Sequence, residues 1–131
     1  MAARYRVMVV DDDAGVRDLL RAQLNAAGLE VSLAYNGEEV AAELARSHPD
    51  LVILDINMPK LDGFGVLQSL RPILENRRIP VLVLTARHAP EDIKRALSLG
   101  AKDYLTKPFN NQQLMTRVGR LLRLSGGPLK A

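Results

Sequence analysis

The chain contains no cysteine. Disulfides, thiolate metal centres and cysteine nucleophiles are therefore excluded, and a reducing compartment is the expectation. Tryptophan is absent too, and two phenylalanines with three tyrosines offer few platforms for stacking nucleic-acid bases. No apolar run approaches the ~18 residues of a membrane-spanning helix, and the N-terminus lacks the apolar core of a signal peptide. A soluble, cytoplasmic chain without a membrane partner is expected. Neither sign of charge dominates: 18 basic and 15 acidic side chains leave +3, spread over many segments. That balance reads as solvated surface, so no direct nucleic-acid partner is expected. The two histidines, His48 and His88, lie in separate loops without metal-ligand spacing. At 131 residues the chain has the length of one domain. Such a domain buries roughly two-thirds of its unfolded surface without needing staples.

What is present centres on Leu51-Val52-Ile53-Leu54-Asp55. Four aliphatic residues running into a carboxylate read as a strand covered on both faces, as in parallel sheets. A short buried helix competes with that reading, but Pro49 and Pro59 leave it little room. Asp55 then sits where a buried strand opens into a loop, outside the carboxyl end where α/β sheets bind ligands. Alone, it could equally cap or turn the chain.

The other elements follow in order. Val7 to Val10 forms a strand ending in Asp11-Asp12-Asp13. Val16, Leu19, Leu20, Leu24 and Ala27 then recur at helical spacing, with Asp13 as N-cap and Gly28 as C′ residue. Glu30 to Ala34 alternates as a strand near a sheet edge does. After Asn36-Gly37 a second helix carries Glu38 and Glu39 in its first turn, with Val40, Ala41, Leu44 and Ala45 inward. Asp62-Gly63 opens a third helix burying Val66, Leu67, Leu70 and Leu74. Pro72 predicts that this helix stops or kinks near Arg71, leaving Glu75 to Arg78 as a polar loop. Pro80 to Leu84 is a fourth strand, ending at Thr85-Ala86. Pro90 starts a fourth helix with Ile93 and Leu97 inward, closed by Gly100. Lys102 to Leu105 is a short fifth strand before Thr106-Lys107-Pro108-Phe109. A last helix faces Leu114, Val118, Leu121 and Leu122 inward and Arg117, Arg120 and Arg123 to solvent. Ser125 to Ala131 reads as a tail or the start of a linker.

Five alternating strands and helices predict an α/β, doubly wound five-stranded parallel sheet, a flavodoxin-like (βα)5 fold of order 2-1-3-4-5. Its switch point lies between strands one and three. That topology gathers Asp11, Asp12 and Asp13 with Asp55 in one crevice, and puts Thr85 and Lys107 on neighbouring strand ends. Clustered carboxylates repel unless a cation joins them. An all-oxygen donor set favours Mg²⁺, with Mn²⁺ or Ca²⁺ as alternatives, over Zn²⁺. Cation, spare carboxylate, lysine and hydroxyl together suit phosphoryl transfer, which depends on positioning and charge neutralisation. Asp55 would be the nucleophile that becomes an aspartyl phosphate, Lys107 would neutralise phosphoryl oxygens, and Thr85 would donate a hydrogen bond to one. The Lys107-Pro108 peptide is left open between trans and cis.

Val9 to Asp13, Asp55 to Pro59, Asp62-Gly63, Leu84-Thr85-Ala86, Gly100-Ala101 and Tyr104 to Phe109, in this order and spacing, resemble the receiver domain of two-component response regulators. The resemblance covers roughly residues 4 to 124, with residues 1–124 taken as the domain and 125–131 as tail. It implies a phosphorylation-dependent signalling switch, not an enzyme acting on an external substrate. Asp55 corresponds to the phosphoacceptor, fed by the phosphohistidine of a sensor histidine kinase or a histidine phosphotransfer protein. Asp12 corresponds to the direct Mg²⁺ ligand, Asp11 to a ligand acting largely through water, and Asn57 offers a backbone carbonyl. Thr85 and Lys107 match the phosphoryl-sensing pair, and Tyr104 the aromatic switch residue. Asn57 and Arg87 stand at the positions that tune phosphate lifetime.

The output is expected on the face of helix four, strand five and helix five. Tyr104 to Phe109 resembles the winged-helix transcription-factor subfamily, which dimerises through that face. Asp103 and Arg117 match its pattern, whereas Lys102, Gln113 and Ile93 depart from it and put that dimer in doubt. The chain ends before an effector domain could begin, so a stand-alone or excised receiver is expected, acting on an output partner or a missing effector domain. Rival readings fare worse. A haloacid-dehalogenase-like phosphatase needs a second aspartate where Asn57 stands. An FMN carrier needs a phosphate-binding loop where Asp11-Asp12-Asp13 would repel phosphate. A degenerate scaffold would have lost Asp55, Lys107 or an acidic residue, and all are present.

Overall fold

A computed structural model describes residues 4–58 and 61–124. Five strands form the main sheet: β1 (Arg6–Val10), β2 (Glu30–Ala34), β3 (Leu51–Leu54), β4 (Val81–Thr85) and β5 (Asp103–Thr106). All neighbours are parallel, and the order is β2-β1-β3-β4-β5, the predicted doubly wound topology. A two-residue ribbon pairs Asn57–Met58 with Leu61–Asp62 beside the loop that follows Asp55. Pro59 and Lys60, like the expected tail at 125–131, lie outside the described residues.

The helices are α1 (Ala14–Ala26), α2 (Gly37–Arg46), α3 (Gly63–Asn76), α4 (Pro90–Ser98) and α5 (Asn111–Leu124). Period-two alternation along each central strand builds two cores. Val7, Val9, Leu51, Ile53, Leu82 and Leu84 meet α1 and α5 on one face. Met8, Val10, Val52, Leu54, Val81 and Val83 meet α2, α3 and α4 on the other. Both layers are dry: Val9, Leu82 and Val83 have no exposed surface. Removing a leucine side chain from such a layer costs about 2–5 kcal/mol. The strand ends, and whatever they carry, are thus held on a rigid platform.

Caps fix where the helices begin. Asp13 Oδ1 accepts from the amides of Gly15 and Val16, at 2.8 and 3.2 Å. Asn36 Oδ1 accepts from Glu39, and Asp62 Oδ1 from Phe64. Pro90 opens α4, where a missing N–H costs nothing. Gly28 closes the α1 turn at φ +85°, a conformation that favours glycine.

Several helix expectations are corrected. The α3 helix does not stop at Pro72 but runs on to Asn76, so Glu75 and Asn76 are helical. Pro72 faces solvent, so the Gln68 carbonyl it orphans stays open to water, while Leu70 and Leu74 bury on either side. Ala27, Ala41 and Ala45 are exposed, and Leu19 is half exposed. Each helix has room for one narrow stripe against the sheet, and Leu20, Leu24, Val40 and Leu44 fill it. In α4 the fully buried residue is Ala96, while the expected Ile93 is only part-buried and Leu97 is exposed.

Candidate functional site

Parallel strands point their carboxyl ends to one rim, and here four of the five carry polar chemistry to it. Asp55 follows β3, and its amide donates to the Val10 carbonyl at 3.0 Å. The Asp11 amide donates to Ala34 at 3.3 Å. These two backbone bonds set both carboxylates beside the gap between β1 and β3. Asp11 and Asp55 are buried, while Asp12 is exposed at the mouth. One ligand atom from each of the three lies within 4.8 Å of the others, a spacing that one divalent cation could span. Asp13 turns away to cap α1.

Lys107 reaches into this cluster. Its Nζ donates to Asp11 Oδ2 at 3.0 Å and to Asp55 Oδ2 at 3.2 Å. The lysine backbone is anchored by its amide on the Thr85 carbonyl at 2.8 Å, and the Lys107-Pro108 peptide is cis. Burial pulls the ammonium pKa down, but the two carboxylates outweigh it, and the net direction is upward from 10.5. Asp11 also moves upward, from 3.8, because burial outweighs its bonds from the Asp13 amide and Lys107. Asp11 is a buried charge still short of positive neighbours, the condition that a divalent cation would correct.

The remaining oxygens of Asp55 and Asp11 are placed by short-range bonds. Asp55 Oδ1 accepts from the Asn57 amide at 2.8 Å, and Asp11 Oδ1 from the Asp13 amide at 2.9 Å. Thr85, at the end of β4, is fully buried, and its Oγ1 accepts from the Arg87 amide at 3.3 Å. Tyr104 is half buried against the α2–α4 core, and its hydroxyl donates to the Arg87 carbonyl at 2.7 Å. Desolvation, then the Asp92 carboxylate, push that phenol pKa upward, so it remains a donor at neutral pH.

Asp11, Asp12, Asp55 and Lys107 are thus brought into one crevice, Thr85 and Asn57 stand at its edge, and Tyr104 and Arg87 lie one layer out. Two supporting residues were not read from the sequence. The Arg17 guanidinium donates to the Asp11 carbonyl at 2.7 Å and lies 4.1 Å from the Tyr35 ring centroid, bracing the acidic loop. No spacing rule marks an arginine six residues downstream. Gly63 packs directly on the backbone of Ile56, and a Cβ there would come within 2.9 Å of the Asp55 carbonyl. The Asp62-Gly63 pair was visible, but not the close approach that demands the glycine.

A doubly wound sheet with a lysine-bridged carboxylate crevice at its switch point defines an α/β module able to hold a hard cation beside a nucleophilic aspartate. The response regulator receiver domain pattern matches residues 7–119. A probable transcriptional regulator, ycf27, of Porphyridium aerugineum is 42% identical over 120 residues, covering 92% of this chain and 49% of that protein. The response regulator MprA of Mycobacterium sp. (strain KMS) is 44% identical over 118 residues, covering 90% and 50%. A crystal structure of a two-component response regulator from Clostridium difficile superposes with a TM-score of 0.86 at 27% identity, covering 95% of this chain and all of that one. The chain belongs to the response regulator receiver domain family, and its function is that of a phosphorylation-dependent switch of two-component type. It spans about half the length of the curated relatives it matches. No described helix is long and apolar enough to cross a membrane.

Proposed function

We propose that Asp55 is the phosphoacceptor of this receiver and that Lys107, Thr85, Asp11 and Asp12 serve the transfer. The observation that carries this reading is the Lys107 ammonium held between Asp11 and Asp55, with Asp12 at the mouth. A carboxylate oxygen of Asp55 attacks phosphorus, the bond from phosphorus to the donor breaks, and its electron pair leaves with the donor. The donor is a phosphohistidine on a sensor histidine kinase or a histidine phosphotransfer protein. Lys107 sheds one of its two carboxylate bonds to meet a phosphoryl oxygen, and the Thr85 hydroxyl donates to another. Asp12 directly, Asp11 through water, Asp55 and the Asn57 backbone carbonyl would hold Mg²⁺, with Mn²⁺ as the substitute. Bound there, the ion neutralises charge on the phosphoryl oxygens.

The module, residues 1–124, acts as a cytoplasmic switch and turns over only its own phosphoryl group, so it is not an enzyme toward another substrate. Asn57 and Arg87 set how long the phosphate survives, and Tyr104 reports its presence to the face of α4, β5 and α5. That face serves an effector partner or a further domain. The test is incubation with acetyl phosphate and Mg²⁺ followed by intact mass. Wild type gains one phosphoryl group, while Asp55→Asn folds normally and gains none, because an amide is not nucleophilic. Undiminished labelling of Asp55→Asn moves the acceptor elsewhere, with Asp11 or Asp12 next. No gain in wild type leaves an unphosphorylated scaffold.

A further inference from the structure

Arg87 stands outside the ion pairs that assemble the crevice, yet besides its amide bond to Thr85 Oγ1 four further contacts converge on it. Its Nε donates to Asn57 Oδ1 at 3.3 Å, and its Nη1 donates to Asp92 Oδ1 at 3.4 Å. Its guanidinium carbon lies 5.9 Å from the Phe64 ring centroid, and its carbonyl accepts the Tyr104 hydroxyl. Asn57 belongs to the mouth of the site, since its amide donates to Asp55. Asp92 belongs to the first turn of α4. One side chain therefore connects the acceptor loop to the helix that borders the expected output face.

None of the holds on the guanidinium itself is strong. Both polar contacts are long, and the side chain is 44% exposed, so the Asp92 pair is screened by solvent. The Phe64 ring is already better occupied by Arg95, 4.1 Å from the centroid. A flexible, always-charged arm on weak contacts follows the strongest anion within reach. Asp11, Asp12 and Asp55 against Lys107 leave the crevice with two excess negative charges, which one divalent cation cancels. A phosphoryl group on Asp55 makes the filled crevice negative again. Its oxygens also match the planar guanidinium fork, which a single carboxylate at 3.4 Å does not engage fully.

We propose that Arg87 is a phosphoryl-contacting residue that couples the acceptor to α4. When Asp55 carries phosphate, the guanidinium leaves Asp92 for the phosphoryl oxygens, and the first turn of α4 loses its tether to the acceptor loop. The Tyr104 hydroxyl, bound to the carbonyl of the same residue, senses the shift of that backbone. The cation alone cancels the excess charge and offers the fork no oxygens, so the event follows the phosphoryl group, whose oxygens the guanidinium can bridge. This inference rests on Asp55 being the acceptor.

The experiment follows backbone amide resonances of the full chain, and the Arg87 Nε–H, in EDTA, with Mg²⁺, and with Mg²⁺ plus beryllofluoride as the phosphoryl mimic. In wild type, the Arg87 Nε–H and residues 91–94 shift with beryllofluoride and not with Mg²⁺ alone. In Asp92→Asn the first turn of α4 already sits near its shifted position, and beryllofluoride moves it less than half as far as in wild type. In Arg87→Ala the first turn is likewise pre-shifted and unresponsive, while the resonances of Thr85 and Ala86 still respond. Acetyl phosphate labelling, read by mass, is run on each variant. If all three proteins are labelled and residues 91–94 respond equally in each, the coupling through Arg87 is wrong while the acceptor stands. If wild type is neither labelled nor shifted, the acceptor reading fails and this inference with it.

Discussion

At the scale of single residues, the site is a problem in charge. Lys107 is four-fifths buried and bonds both Asp11 and Asp55, which are almost fully buried. Removing it leaves two carboxylates with neither water nor a cation, at a cost of about 1–3 kcal/mol for the unsatisfied acceptors. Lys107→Met is therefore expected to lower stability by that amount in EDTA and to recover most of it in Mg²⁺, which takes over the neutralisation. Urea denaturation in both conditions checks this, and an equal loss in each would mean that the lysine acts through packing alone. The sign of the pH dependence follows from the same contacts. Because its folded pKa is raised, Lys107 contributes its stability in full below 10.5 and loses it as the pH climbs through the folded value. Asp11 works the other way: its raised pKa means that the folded state binds the proton more tightly, so its penalty is present at neutral pH. That penalty is relieved as the pH falls through its folded value toward 3.8. Asp12 is exposed and adds negative charge without bonding Lys107, so Asp12→Ala should raise the melting temperature of the metal-free protein while weakening Mg²⁺ binding. Calorimetric melting in EDTA with a Mg²⁺ titration reads both, and a fall in the metal-free value would show Asp12 to be structural.

At the scale of elements, the acceptor loop is positioned by a glycine. Gly63 opens α3 against Ile56, and there is no space for a Cβ between that turn and the Asp55–Ile56 backbone. Gly63→Ala must push the acceptor loop or the first turn of α3 aside, at a cost of about 1–3 kcal/mol or more for an overpacked core site. Labelling by acetyl phosphate should fall along with stability, and unchanged labelling in a folded variant would show that the loop tolerates the shift. This requirement marks the limit of what the sequence displayed. The sheet, its order and the strand-end residues Asp11, Asp12, Asp55, Thr85 and Lys107 were legible, because aliphatic runs ending in polar residues record both burial and exit point. The caps at Asp13 and Pro90 were legible for the same local reason. Helix faces were less so. Leu19 and Leu97 satisfy three- and four-residue spacing as well as Leu20 does, and periodicity cannot say which stripe meets the sheet. Pro72 misled because its penalty depends on whether the orphaned carbonyl is dry, and here it faces solvent. The contacts of Arg17 and Arg87 join residues whose proximity only the folded chain creates.

At the scale of the whole molecule, function requires that a charge placed in the crevice be read on a distant face. The two packed layers cannot deform smoothly, so the signal must travel through an element with discrete arrangements. On the proposed reading the loop after β4 is that element. Thr85 Oγ1 accepts from the Arg87 amide, and Tyr104 holds the Arg87 carbonyl, so one residue's backbone is clasped between the sensing hydroxyl and the aromatic. Beyond it, Asp103 already faces Arg117 and Arg120 within its own chain, at 3.8 and 3.6 Å, which leaves the α4–β5–α5 face with an internal charge lock. On that reading a phosphoryl oxygen would give the Thr85 proton a charged acceptor, drawing the loop toward the site and away from its clasp on Tyr104. Coupling of this kind is worth about 1–3 kcal/mol, a change in partner affinity of roughly 5- to 150-fold. Thr85→Ala is expected to keep acetyl phosphate labelling within a few-fold of wild type, because Lys107 and the cation still neutralise the phosphoryl group. It should nevertheless abolish the response along the face from Tyr104 to Arg117. Amide hydrogen exchange with and without beryllofluoride reads this: in wild type, protection changes concentrate at residues 85–90 and along the face from Tyr104 to Arg117, and in Thr85→Ala that face falls silent while the first turn of α4 still responds through Arg87. Changes from Tyr104 to Arg117 that survive in Thr85→Ala would show that the signal reaches that face without the threonine.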